Sequence, residues 1–310
     1  MGSPNETRVT EFILIGLSEH PRAQAVFFFF LLMAYLISLL GNGLIVILII
    51  ADAHLHTPMY FFLCILSSVD LILSNNALPE IQVNCFFYRP TISFYRCLVQ
   101  MYVGLLLVST ECVLLAIMAY DRFAAICQPL HYMQTMSWRF CISLVAAALG
   151  FSALTTLINI LLQPTEFCGR NVINHFACEL QSFLKLACSD THTSELFMHV
   201  VSLFLLIPPF GFIVVTYGRI GWAVILMRSK EGRKKAFSTC SSHLAVVGVF
   251  YGTIMIMYMK PQRKSSSDQD KVISLMYGVL TPMLNPLIYS LRNRDVKGAF
   301  WRVFGRKRSE

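Results

Sequence analysis

Long apolar runs fenced by charged residues dominate the chain. Windows free of Asp, Glu, Lys and Arg lie between Arg22 and Asp52, Arg139 and Glu166, Glu195 and Arg219, Lys235 and Lys260, and Lys271 and Arg292. Each reaches the roughly 20 residues that carry a helix across a bilayer. Two further apolar stretches, near 57–79 and 97–121, are each broken by one interior acid, Asp70 and Glu111. A charge at the bilayer centre costs at least about 2.5–3.5 kcal/mol. The fences therefore mark the ends of spans, and the two interior acids need a reason to be there. The pattern predicts an all-α membrane protein, a seven-transmembrane helix bundle. Barrel strands would alternate over about 10 residues, whereas these runs are continuous.

Orientation follows from the flanks. Asn5-Glu6-Thr7 is an N-glycosylation acceptor, which places the N-terminus outside. The first run begins after Arg22 and is too long for a signal-peptide core, so no cleaved leader is expected. Seven spans then leave the C-terminus in the cytoplasm. Arg122, Arg139, Arg219, the run from Arg228 to Lys235 and the basic tail all fall on the inner side, in agreement with the positive-inside rule. From Arg292 to Phe304, Arg and Lys are interleaved with Val, Phe and Trp301, which predicts a short amphipathic C-terminal helix on the inner leaflet. The expected organisation is a glycosylated extracellular segment 1–24, a seven-transmembrane domain 25–291 and a cytoplasmic tail 292–310.

Composition sharpens this picture. The chain is 56% hydrophobic and only 14% charged, with a mean hydropathy of +0.61, where a soluble chain is about a quarter charged. That deficit excludes a disordered or nucleic-acid-coating chain despite the net charge of +8, so nucleic acid is not an expected partner.

Polar residues inside spans are functional hypotheses by default. Asp70, Glu111, Asn42 and Asn285 lie at depths where they can converge. Two readings stay open: a cage for a structural sodium ion or a shared proton, and an interhelical hydrogen-bond cluster with one acid neutral. Asp121-Arg122 closes the third span, either as a charge anchor or as a pair released in a switch. Pro208-Pro209, Pro282 and Pro286 remove backbone donors and mark kinks or local unwinding. Gly150 to Ala153 with His243 offers a serine-hydrolase alternative, weakened by the depth difference between Ser152 and His243. His175, Cys178 and Glu179 form a loop cluster open to a metal or, better suited to an oxidising compartment, to a disulfide through Cys178. No internal repeat supports a transporter, and no nucleotide or zincin motif is present.

Several motifs, in order, resemble the odorant receptors, a branch of the rhodopsin-like G-protein-coupled receptors. They are Gly41-Asn42; LHTPMYFFL from Leu55 to Leu63; Ser67 to Leu71; MAYDRFAAIC from Met118 to Cys127 followed by PLHY; KAFSTCSSHL from Lys235 to Leu244; and PMLNPLIYSLRN from Pro282 to Asn293. The glycosylation site, the loop cysteines and the short tail look like the tetrapod (class II) subgroup. Phe123, Ala124 and Gln128 depart from the usual residues at the G-protein face.

The resemblance implies a receptor, not an enzyme. A small neutral odorant is expected within the helices, an olfactory Gs-type G protein at the inner face raising cAMP, and residence in the plasma membrane of olfactory cilia. It also implies disulfides Cys97–Cys178 and Cys168–Cys188, and a switch in which Arg122 pairs with Asp121 at rest and turns to Tyr217 and Tyr289 on activation. An apolar pocket with one or two polar groups suits such ligands. Tyr251, Met255 and Tyr258 share one face of the sixth span by their spacing. Gly104, Leu105, Val108 and Ser109 of the third, Ser202 and Leu205 of the fifth, and Leu275 and Gly278 of the seventh are expected to close the pocket. None of these is an acid or a base.

Overall fold

The computed structural model describes residues 9–15, 21–87, 90–164, 167, 171–258 and 267–305. Seven long helices follow one another: α1 (Pro21–Ala51), α2 (Pro58–Asn84), α3 (Phe94–Cys127), α4 (Trp138–Leu161), α5 (His192–Leu226), α6 (Lys230–Tyr258) and the composite α7. In α7, an α-helical stretch Ser267–Leu275 passes through a π-helical turn Met276–Leu280 into Thr281–Arg292. All seven contain stretches long and apolar enough to cross a membrane. The tail helix α8 (Arg294–Phe304) follows, capped by the Asn293 side chain, which accepts from the backbone N–H of Asp295.

Lipid is the solvent for the outer surface of the bundle. Phe29, Leu40 and Ile47 of α1, Leu154 of α4, and Phe204 and Val215 of α5 are exposed apolar side chains, as expected of helices apolar around their whole circumference. α3 is the axis of the bundle: 61% of its most apolar window is buried, against 22% for α5.

Proline shapes α7. Pro282 has no N–H to give, and its ring crowds the carbonyl four residues back. The widened π turn ends at Leu280, two residues before it, which is the local unwinding the sequence predicts. α5, by contrast, stays helical through Pro208-Pro209. α1 approaches α7 where Gly41 faces Pro286. A Cβ at Gly41 would stand 2.7 Å from Pro286 Cβ and 2.8 Å from its Cγ, closer than carbon atoms tolerate.

One end of the bundle, called the outer end after the orientation expected from the sequence, carries a small sheet that hydrophobic patterning does not reveal. β1 (Glu11–Leu14) pairs antiparallel with β2 (Thr91–Ser93) and parallel with β3 (Val172–Ile173), in the order β2-β1-β3. Strands this short are specified by their partners. Phe12 is fully buried beneath the sheet, with ring centroids of Phe94, Phe167 and Phe183 at 5.8, 6.1 and 5.8 Å. The Cys97–Cys178 disulfide fastens this cap to the top of α3. Cys188 is also disulfide-bonded; Cys168, its expected partner, and Asn5 lie outside the described residues.

The close approach of α1 and α7 gives a direct test. Gly41→Ala is expected to destabilise the bundle by about 1–3 kcal/mol through overpacking against a ring that cannot fold away. Thermal unfolding in detergent measures this, and an unchanged midpoint would mean the helices separate without penalty.

Candidate functional site

Two cavities open beneath the outer cap. The larger, about 100 Å³, lies between α2, α3, α7 and the loop after α4. The smaller, about 50 Å³, lies between α3, α4, α5 and α6. Leu105, Val108 and Leu180 line both and form the partition between them. Gly104 and Gly278 line the larger cavity; Ser109, Ser202 and Leu205 line the smaller.

The larger cavity has a polar wall. Glu179 accepts hydrogen bonds from Ser274 Oγ (3.1 and 3.3 Å) and Tyr277 Oη, and lies 3.3 Å from His175 Nε2. On the opposite side Asn76 Nδ2 donates to the Gln100 carbonyl, and Gln100 Oε1 accepts from Cys178 N–H at 2.9 Å. The disulfide therefore positions more than a sulfur: it presses the loop backbone onto α3. With its sulfur in that bond, Cys178 is no metal ligand. Among the described residues no group of three His, Cys, Asp or Glu side chains is placed to hold a metal.

Deeper in the bundle, the polar residues of four helices meet. Asp70, Glu111, Asn42 and Asn285 are all essentially buried. Asn285 Nδ2 donates to Asp70 Oδ2 at 2.9 Å and to Glu111 Oε1 at 3.5 Å. Asn42 bonds to none of these three and donates to the Pro282 carbonyl at 2.9 Å and the Ser38 carbonyl at 3.1 Å. Asp70 Oδ1, Glu111 Oε2 and Asn42 Oδ1 are left without hydrogen-bond partners. Three orphaned oxygens in an apolar core suit a hard cation or a proton.

At the inner end the expected Asp121–Arg122 pair does not form. Asp121 instead accepts from Tyr132 Oη at 2.7 Å, and no ion pair joins it to Arg122 among the described residues. The reason is helical geometry: consecutive side chains point away from each other. Arg122 is 6% exposed and its Nε has no partner; Tyr289 Oη has none either. Tyr217 Oη is engaged with His243 Nδ1 at 2.8 Å, with the two rings stacked. Ser152 Oγ and His243 Nε2 are both unpartnered, so the hydrolase dyad is not assembled.

Residues 30–307 match the sequence profile described as Olfactory receptor. The chain belongs to the olfactory receptor family. Olfactory receptor 13H1 of Homo sapiens is 51% identical over 303 residues, covering 98% of both chains. Olfactory receptor 2A7 of Mus musculus is 46% identical over 306 residues, covering 98% of this chain and 99% of its own. Squid rhodopsin, at 18% identity, superposes with a TM-score of 0.71 over 92% of this chain and 86% of its own, and shares the fold. Olfactory receptors are receptors, not enzymes, and this one is a multi-pass membrane protein.

For the receptor's cavities, four sequence expectations need correction or fall outside view. Tyr251 is fully buried, packs on Phe210 at 5.4 Å and donates to the Cys112 carbonyl at 2.7 Å. It locks α6 to α3 and does not line either cavity. Met255 packs on the main core and Leu275 on the outer cluster around Phe176, because the α6 and α7 faces that patterning marks as apolar are turned to neighbouring helices. The side chain of Tyr258 lies outside the described residues. Beyond the residues expected from the sequence, an acid and an imidazole, Glu179 and His175, also line the larger cavity. The loop motif signals these residues, but no periodicity shows which way a loop turns.

A second feature of the olfactory receptor joins sequence-distant charges. Arg302 of α8 donates through Nε (2.8 Å) and Nη2 (2.6 Å) to Asp52 Oδ2 in the first inner loop. Tyr60 of α2 adds a bond to Asp295 at 3.0 Å. Burial pushes the Asp52 carboxyl up, but the hydrogen bonds from Arg302 and His54 outweigh it and bring it down to about 2 from the usual 3.8. A depressed acid stabilises the fold above its unfolded value and loses that contribution as pH falls through its folded value. Amide protection of α8, corrected for intrinsic exchange, should therefore hold from neutral pH to about 4 and fall towards pH 2. Asp52→Asn should lower protection already at neutral pH; equal protection in both proteins there would remove this role for the pair.

Proposed function

We propose that this receptor binds a small neutral odorant in the cavity between α3, α4, α5 and α6 and activates an olfactory Gs-type G protein, raising cAMP. One observation carries the reading. The helix that walls the cavity with Leu105, Val108 and Ser109 also carries, about 20 Å further along by its rise per residue, an arginine with an unpartnered Nε beside an unpartnered tyrosine. Ligand packing against α3, α5 and α6 favours the state in which it fits best. An outward swing of α6 breaks the Tyr217–His243 bond and frees Tyr217, while Arg122 and Tyr289 still need partners. In this mechanism Arg122 turns to Tyr217 and Tyr289 as the G protein enters, and Asp121 stays with Tyr132.

The exposed basic rim of Arg228, Lys230, Arg233 and Lys234, with α8 beside it, supports a cytoplasmic inner face. The N-terminus then lies outside, with Asn5 as the glycan site, and the protein resides in the plasma membrane of olfactory cilia. Val108→Phe should fill the cavity and silence all odorants. Arg122→Ala should abolish odorant-evoked cAMP at measurable surface expression. Cells expressing each variant with a cAMP reporter test both, and preserved responses in either would break the corresponding link.

In the resting receptor a sodium ion would be held by the orphaned oxygens of Asp70, Glu111 and Asn42, with Asn285 as the fourth residue of the site. Those orphaned oxygens support the reading, and the cation supplies charge balance for two carboxylates that share one amide donor. Raising sodium should raise the melting temperature, since a ligand stabilises the state it binds, and Asp70→Asn should remove the dependence. A sodium-independent wild type would favour the second reading, a shared proton.

A further inference from the structure

Most threonines inside the helices of this bundle follow one habit; Thr156 departs from it, as do Thr281 and Ser152, and of these three Thr156 lines a cavity. Thr110, Thr155, Thr216 and Thr253 each donate to a carbonyl three or four residues back, at 2.7, 3.0, 2.6 and 2.8 Å. Thr156 does not. Its Oγ1 has no partner, its side chain is only 8% exposed, and it lines the smaller cavity. Across that cavity Ser109 of α3 is equally buried and makes no side-chain hydrogen bond among the described residues. Around these two hydroxyls the wall is mainly apolar, from Val108, Val201, Leu206 and Ile254.

We infer that the smaller cavity selects ligands bearing a carbonyl oxygen, held by the hydroxyls of Thr156 and Ser109, so that ketones, aldehydes and esters are preferred to hydrocarbons and alcohols of the same shape. An unmet buried donor is expensive, whereas an oxygen lone pair without a donor is tolerated more readily. The fitting ligand therefore supplies an acceptor. A carbonyl oxygen has two lone pairs and takes both donors without bringing a proton of its own. An alcohol brings a further proton that needs an acceptor. For that proton the cavity offers Asn159 Oδ1, its Nδ2 being given to the Thr155 carbonyl, and hydroxyl lone pairs whose own protons must then find another acceptor. Thr156 is thus a specificity-determining residue, and α4 takes part in recognition. This rests on the smaller cavity being the odorant site.

The test uses a series of saturated cyclic ketones, the matched methylene hydrocarbons and the matched secondary alcohols. Dose–response curves are recorded in cells at equal surface expression, and thermal stabilisation of the solubilised receptor gives a readout independent of coupling. Wild type should respond to ketones at about tenfold lower concentration than to the hydrocarbons, the scale of one neutral hydrogen bond. Thr156→Val, nearly the same shape, should lose about that tenfold for ketones, leave hydrocarbons unchanged, and be no less stable without ligand because it removes an unmet hydroxyl. Thr156→Ser should keep the ketone preference.

Equal potency of ketone and hydrocarbon in wild type, a preference for alcohols, or silence toward every ketone overturns the carbonyl assignment. An unchanged ketone response in Thr156→Val does the same, and means that a resident water, not the ligand, serves the hydroxyl. If instead Val108→Phe leaves ketone responses intact, the cavity assignment itself fails.

Discussion

A single amide side chain joins the halves of this receptor. Asn285 of α7 donates to the carboxylates of Asp70 on α2 and Glu111 on α3, in a buried core where no charge is cheap. Helices in lipid gain little from apolar contact with each other, because the lipid is as apolar as their side chains. Polar groups and close backbone approach must then define which helix meets which. Asn42 donating to the Pro282 carbonyl and Gly41 against Pro286 repeat the principle between α1 and α7. The π turn just before Pro282 places the inner half of α7 so that Asn285 and Tyr289 turn inward together.

The two ends of the bundle are finished by different physics. Outside, water is available, and the cap uses soluble-protein means: a three-stranded sheet, an aromatic cluster around Phe12 and a disulfide. That cap fixes Glu179 and Leu180 over the cavities, so ligand access depends on a loop held at both edges. Inside, the tail is tied down by a carboxylate and a guanidinium from opposite ends of the chain. Between the ends, α3 links the cavity wall at Val108 to the arginine at its inner end, and a rigid, buried helix is suited to carry such a signal.

The inner face shows why sequence neighbours mislead. Asp121 and Arg122 are adjacent, and adjacency in a sequence suggests a pair. On a helix it separates them by about 100°, and Tyr132 from the following loop takes the acid instead. The Arg302–Asp52 bridge is the converse case, in which two charges far apart in the chain meet because α8 turns back beneath α1. Neither outcome has a local signature.

The seven spans and the amphipathic tail were determined by sequence alone, because the bilayer imposes a local test: each stretch must be long enough and apolar enough by itself. The convergence of Asp70, Glu111 and Asn285 was legible for the same reason, since an acid in a span has nowhere to go except inward to a partner. Cavity residues on α3 and α5 could be proposed from depth, but the tertiary structure turned Tyr251 to the Cys112 carbonyl and brought Thr156 to the wall. The rotation of each apolar helix was undetermined in the sequence, because a helix apolar on every side carries no record of which side its neighbours cover. The cap strands and the polar wall at Glu179 were likewise settled by pairing across long stretches of chain, a choice that only the assembled bundle makes.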